Sequence, residues 1–139
     1  MLEQRLDDEK NQVSIIIPTY NESENIINIL HSIKEIIPKN ILTQTIVVDD
    51  NSPDGTGKLV EDYLKNVKKM ADHTIEIIHR KAKNGLGSAI LNGIQQAKGD
   101  TIVVMDCDFS HPPQIIPKLV ESIKKYQYDI AVASRYIKG

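Results

Sequence analysis

This chain of 139 residues has no tryptophan, a single phenylalanine and a single cysteine, and its aromatic content is only 4%. One cysteine excludes an internal disulfide, and with it a small disulfide-stapled secreted scaffold; the expected setting is a reducing compartment. No apolar run approaches the ~18 residues that a membrane-spanning helix needs. Charge of one sign is also missing: 17 basic residues face 19 acidic ones, for a formal net charge of −2. That balance offers no electrostatic case for nucleic acid. The basic pairs Lys68-Lys69 and Lys124-Lys125 read as solvated helix faces. The opening, "MLEQRLDDEKNQ", is polar and acidic rather than a signal peptide and reads as a lead-in over residues 1–12.

What remains is an ordinary globular composition, 40% apolar and 26% charged, of a length that suits one domain with one core. Apolar patterning divides residues 13–139 into alternating elements. "VSIIIP" is a β-branched run of strand length that suits burial on both faces. Across 22–37 isoleucines and a leucine recur at helical spacing, with Asn21 as the expected N-cap and Glu24 completing a near capping box. The same reading predicts strands at 45–50, 73–79, 101–106 and 129–134, and helices at 56–70, 87–98 and 113–126. Strand and helix alternating in this way imply right-handed crossovers and a mostly parallel sheet. In such sheets ligands bind beyond the carboxyl ends of the strands, at the point where strand order reverses.

The residues just past the strands are therefore the ones that carry chemistry. They are "PTYNE" after the first strand, "DDNSPD" after the second and "DCD" after the fourth. Clustered carboxylates repel unless a cation or hydrogen-bond donors offset them. Asp106 and Asp108 lie two apart, so on extended backbone they point the same way. Two hard oxygen ligands on one side suit Mg²⁺ or Mn²⁺, which keep waters and take remaining ligands from substrate phosphates. Asp54 alone reads better as a helix cap. Several other motifs do not hold. "GTGK" lacks the first glycine and the final Ser or Thr of a P-loop, and "GLGSAI" has Ile90 where a dinucleotide fingerprint needs its third glycine. His31, His73, His79 and His111 lack zinc spacing, though His111 follows the acidic pair and could line the site. Cys107, between two carboxylates, does not read as a nucleophile. "VVDDNS" with "VVMDCD" also resembles a phosphoacceptor receiver domain, but there the acidic pair follows the first strand.

Taken in order, "VSIIIPTYNESENI", "IVVDDNSPDGTG", "NGLGSAILNGI", "GDTIVVMDCDFSHPP" and "DIAVASRYIKG" closely resemble family 2 glycosyltransferases of the dolichol-phosphate mannosyltransferase type. That resemblance implies a GT-A, Rossmann-like three-layer α/β sandwich. It places Pro18, Tyr20 and Glu22 at the nucleoside, Val48 and Asp50 at base and ribose, and Asp106 and Cys107 along the nucleotide-sugar. Asp108 becomes the principal metal ligand, with Asp106 and Ser110 beside it, and Arg135 approaches a donor or acceptor phosphate. The implied donor is GDP-mannose, held with Mg²⁺ or Mn²⁺, and the implied acceptor a dolichyl or other polyprenyl phosphate. A UDP-glucose donor or a saccharide acceptor on the same fold, or a non-catalytic nucleotide-binding remnant, are the alternatives. Cys107 stands where alanine is common in the acidic triplet. Relatives continue past the position of Gly139 with a further arginine and acceptor-side helices, so the chain matches the N-terminal portion of the family pattern. The implied setting is cytoplasmic, with peripheral membrane association through the lipid substrate or that C-terminal part.

Overall fold

The computed structural model describes residues 12–134; most of the polar lead-in, and Arg135 with the four residues after it, lie outside them. Four strands, β1 (Gln12–Thr19), β2 (Leu42–Asp49), β3 (His73–His79) and β4 (Thr101–Val104), form one sheet in the order β3-β2-β1-β4. All pairings are parallel: Gln12 to Thr19 run beside Leu42 to Asp49, Val13 to Ile16 beside Thr101 to Val104, and Thr43 to Asp49 beside His73 to His79. Four helices connect and follow the strands: α1 (Ile26–Ile36), α2 (Thr56–Asn66), α3 (Leu86–Gln96) and α4 (Ile116–Tyr126), the last led by a 3₁₀ turn at Pro113–Ile115.

The continuous apolar character of β1 follows from its central place. Val13, Ile15 and Ile17 point to one face, where they join Ile26, Ile29, Leu30 and Ile33 of α1, Val60 of α2, and Ile116 and Val120 of α4. Ile16 points to the other face, with Ile46, Val48 and Ala89 of α3. Each such side chain, once buried, contributes about 1.5–3 kcal/mol of transfer free energy. α3 sits close because it has Gly93 at the contact: a Cβ there would lie 2.5 Å from Ile16 Cγ2. Its C-terminal end is closed by buried amide chemistry. Ser14 Oγ donates to Gln44 Oε1 at 2.7 Å, and Gln44 Nε2 donates to the Gln96 carbonyl and to Glu76 Oε1, both at 3.1 Å. The Lys98 and Gly99 N–H groups bond back to Gln44 Oε1 and Ser14 Oγ, each at 2.9 Å. Without these partners Gln44, fully buried, would be a costly polar group on a core strand.

Two expectations need correction. Residues 129–134 form no strand: Ile130 and Val132 are 78% and 76% exposed. Among the described residues the outer edge of β4 pairs with no neighbour, so the alternating pattern finds neither a ladder nor a buried face. Helix α1 begins at Ile26 with Asn25 at its N-cap rather than Asn21. Asn21 adopts φ 56°, not the extended backbone an N-cap takes, and stands well ahead of the helix's first residue; its N–H donates to Ser52 Oγ at 3.0 Å. The turn between them closes instead through Glu22, whose carbonyl accepts from Asn25 and Ile26 at 3.0 and 2.9 Å.

Gly93→Ala tests the close approach of α3. The gain in helix propensity is about 1 kcal/mol, and overpacking against Ile16 costs roughly 1–3 kcal/mol. The expected outcome is a net loss of about 1 kcal/mol in urea denaturation; a more stable variant would show that α3 can move outward freely.

Candidate active site at the carboxyl edge of the sheet

Because the strands are parallel, the loops after β1, β2, β3 and β4 emerge along one edge. The strand order reverses between β1 and β4, which are adjacent. Three of these loops contain a non-glycine residue with positive φ: Asn21 (56°), Asn51 (55°) and Phe109 (58°). Asparagine tolerates this left-handed conformation, whereas phenylalanine adopts it at a steric cost of order 1–3 kcal/mol. Strain stored next to an acidic pair marks the β4 loop as one whose shape is set by its surroundings.

The aspartates at this edge divide by their partners. Asp49 and Asp54 brace the first two loops against each other. Thr19 Oγ1 and Ser52 Oγ donate to Asp49 Oδ1 at 2.8 and 2.6 Å, and the Ser52 N–H donates to Oδ2 at 3.0 Å. Asp54 accepts the Ser23 N–H at 3.0 Å and both the N–H and the hydroxyl of Thr56, at 3.0 and 2.5 Å; Thr56 Oγ1 in turn accepts the Glu22 N–H at 3.0 Å. Partial burial opposes ionisation of Asp54, but these hydrogen bonds prevail and lower its carboxyl to about 2. Asp54 is not itself the cap: Gly55 holds the N-cap position of α2, and Asp54, one residue earlier, ties Thr56 at the helix start to Ser23 of the first loop.

Asp50 is different. Its side chain is 8% exposed and faces the equally buried Arg80, with Nη1 2.9 Å from Oδ1. The approach lies off the N–H direction, so Oδ1 has charge compensation without an aligned hydrogen bond. Tyr20 lies nearby at the same edge, with Lys83 Nζ 4.0 Å from its ring centroid. Val48 and Cys107 are both buried, Val48 toward α3 and Cys107 toward the α1 side. Contact of either with a ligand would run through the backbone. Burial, and then the charges of Glu22, Asp108 and Asp106, push the Cys107 thiol up to about 12. The Met105 N–H donates to the Ile16 carbonyl at 3.1 Å, which keeps the ends of β1 and β4 side by side.

Asp106 and Asp108 flank that buried cysteine and carry the exposed carboxylates. The Asp106 N–H donates to His111 Nδ1 at 2.9 Å, leaving Nε2 to carry the ring proton; Nε2 lies 3.7 Å from Asp106 Oδ2. The Ser110 hydroxyl and N–H donate to Asp108 Oδ1 at 2.5 and 3.0 Å and hold that carboxyl below its ordinary range. Ser110 thus orients Asp108, and its oxygen keeps lone pairs. Among the described residues no three His, Cys, Asp or Glu side chains converge in a metal cluster. Two ionised carboxylates fit a divalent ion whose other ligands are waters and phosphate oxygens. A cavity of about 280 Å³ lies at the opposite end of the sheet, between Lys34, Leu64, Met70 and His73, and takes no part in this edge.

The structure brings together Pro18, Tyr20, Glu22, Asp50, Asp106, Cys107, Asp108 and Ser110 along one edge, and Arg135 lies outside the described residues. Sequence reading missed Arg80 and Lys83. The signal was available: Arg80 directly follows a strand, as the recognised acids do.

A parallel sheet with helices on both faces makes this an α/β domain, and its fold is that of GT-A glycosyltransferases. The sequence pattern of the family described as "Glycosyl transferase family 2" matches residues 14–139, and the chain belongs to that family. It is 41% identical over 128 residues to a dolichol-phosphate mannosyltransferase of Pyrococcus furiosus, covering 92% of this chain and 34% of that protein. To an undecaprenyl-phosphate mannosyltransferase of Micrococcus luteus it is 34% identical over 131 residues, covering 92% and 50%. The chain therefore spans between a third and a half of these relatives. Among solved structures, a mannosyltransferase from Pyrobaculum calidifontis in complex with GDP-Man and Mn²⁺ superposes with a TM-score of 0.69 at 26% identity, over 81% of this chain and 32% of that one. S. aureus TarS in complex with UDP shares the fold, with a TM-score of 0.67 at 24% identity, over 92% and 38%.

Two measurements check the site's chemistry. The folded Asp54 value of about 2 lies below its ordinary 3.8, so its contribution to stability is full above about pH 4 and fades as pH falls toward 2. Asp54→Asn should lower the urea midpoint at pH 7, with the gap to wild type closing between about pH 4 and pH 2; a constant gap would contradict the bracing role. Native Cys107 should resist an aromatic disulfide reagent at pH 8 and react only on unfolding, since a buried thiol raised to about 12 has almost no thiolate. Rapid stoichiometric labelling of folded protein would refute that placement.

Proposed function

We propose that this chain is the donor-binding domain of a polyprenyl-phosphate mannosyltransferase. It binds a nucleotide-diphospho-sugar, GDP-mannose in our reading, with Mn²⁺ or Mg²⁺, and serves transfer of the sugar to a dolichyl or related polyprenyl phosphate with inversion. The observation that carries the reading is the placement of the Asp106–Asp108 pair at the β4 end, beside the β1 end with Tyr20 and Glu22. The named relatives and the GDP-Man complex point the same way.

In this reading Tyr20, Glu22 and Asp50 hold the nucleoside, and the backbone at Val48 and Cys107 lines its path. Asp106 and Asp108, the latter oriented by Ser110, would hold the divalent ion. That ion, when bound, offsets negative charge on the departing nucleoside diphosphate. His111 fixes the start of the loop by accepting the Asp106 N–H. A lipid phosphate is already an anion at neutral pH, so no side chain need remove a proton from it; a sugar hydroxyl would require a base. Arg135 is assigned to a phosphate of donor or acceptor. Membrane contact is assigned to the lipid acceptor or to the C-terminal part of the family pattern; no helix among the described residues is long and apolar enough to span a bilayer.

Calorimetric titration with GDP, GDP-mannose, UDP and UDP-glucose, with and without Mn²⁺, tests this. GDP and GDP-mannose should bind in a metal-dependent way. Asp108→Ala should weaken that binding by more than the ~10-fold that loss of even an outer-shell partner costs. Preference for UDP would overturn the donor, and metal-independent binding would overturn the role of the acidic pair.

A further inference from the structure

Arg80 ties three parts of the nucleotide edge together. Its own N–H donates to the Asp49 carbonyl at 2.8 Å, which fixes its backbone to the end of β2. Its guanidinium, 8% exposed, stands 2.9 Å from Asp50 Oδ1. The same Nη1 also donates to the Gly85 carbonyl at 3.3 Å, at the N-cap of α3, and Nη2 donates to Ser88 Oγ in the first turn of that helix. Ser88 passes the connection on, donating to the Asn84 carbonyl at 3.1 Å. Gly85, at φ 93° and ψ 156°, occupies a conformation open to glycine alone, which turns its carbonyl toward Arg80 without side-chain strain. Lys83, carried on this loop, lies over Tyr20.

We propose that Arg80 is a positioning residue of the nucleotide site, coupling the Asp50 carboxylate to the 81–85 loop and the first turn of α3, so that a nucleoside diphosphate engaging Asp50 also orders the loop that carries Lys83 over Tyr20. The proposal rests on the reading of Asp50 as part of the nucleoside subsite. A mere brace for the loop would need only Gly85 and Ser88. The second anchor on a buried carboxylate is what makes the loop answer to occupancy. The ligand needs no contact with Arg80 itself. Coupling of this kind is reciprocal: what the loop contributes to nucleotide affinity, the nucleotide contributes to loop order. Lysine does not reproduce this arrangement: Nη1 meets both Asp50 and the Gly85 carbonyl while Nη2 reaches Ser88, and one ammonium lacks the second, rigidly placed nitrogen.

The test combines amide hydrogen exchange at residues 84–88 with GDP titration in Mn²⁺, on wild type, Arg80→Lys, Ser88→Ala and Asp50→Asn. Ser88→Ala leaves the Asp50–Arg80 pair intact and protects against a result that reflects misfolding. Exchange at 84–88 should rise in all three variants while β1 and β2 amides stay protected. GDP affinity should fall about tenfold in Arg80→Lys and less in Ser88→Ala, and GDP should slow exchange at 84–88 in wild type. Unchanged exchange in Asp50→Asn, or wild-type GDP affinity in both Arg80→Lys and Ser88→Ala, would overturn the proposal. Folded wild-type protein that binds no nucleotide would remove the nucleotide reading, while the Asp50→Asn exchange result would still decide the coupling.

Discussion

The parallel hydrogen bonding of β1 to both β2 and β4 is the constraint on which the rest depends. It sends every strand's carboxyl end to one edge and seats the β1 and β4 loops side by side. Had β4 paired antiparallel, Asp106 and Asp108 would have emerged at the far end of the sheet, with the 280 Å³ cavity rather than with Tyr20 and Glu22. The pairing is set by apolar side chains on both faces of β1, and these demand cover on both sides. Helices α1, α2 and α4 cover one face and α3 the other. Chain connections from one face to the other then leave the loops at the carboxyl edge free for chemistry.

Five aspartates meet at that edge, and the physics of like charge obliges them to differ. Asp49 and Asp54 are saturated by hydroxyls and N–H groups, and their charge goes into holding two loops together. Asp50 is balanced by a buried guanidinium. Asp106, half exposed, and Asp108, exposed, accept fewer hydrogen bonds from other loops, the first anchored through its own peptide N–H and the second oriented by Ser110 of its own loop. The negative charge that remains free is thus concentrated on the β4 loop, where a divalent ion would be attracted most. Bracing and chemistry use the same residue type, and only the partners separate them.

Much of this was legible in the sequence. The β-branched run at 13–18 and the helical spacing that follows it gave the alternation of elements, because buried strands and amphipathic helices have different periods. The acidic pair was legible as two carboxylates two residues apart, although β4 ends at Val104 and residues 107–110 form bends rather than the extended backbone that the spacing suggested. Other features were not legible. Asn21 carries a good capping side chain, yet the chain there adopts φ 56° and its N–H reaches Ser52 Oγ, 31 residues away, a turn no local pattern announces. The apolar alternation at Ile130 and Val132 has the local character of a strand, but a strand needs a neighbour, and none lies beside it among the described residues. Arg80 was missed because attention went to the acids, although the rule that exposes strand-end residues applies to cations equally.

Sequence alone determined the class of fold, the family and the acidic pair, since these depend on periodicity and on short motifs whose meaning is local. Tertiary structure alone decided which aspartates are free and which are consumed. It also decided that Val48 and Cys107 present backbone rather than side chain, and that Asp50 reaches the start of α3 through Arg80. The reason is physical: a carboxylate's role is set by the donors within about 3 Å of it. Here most of those donors arrive from other loops, brought into range only when the parallel sheet closes.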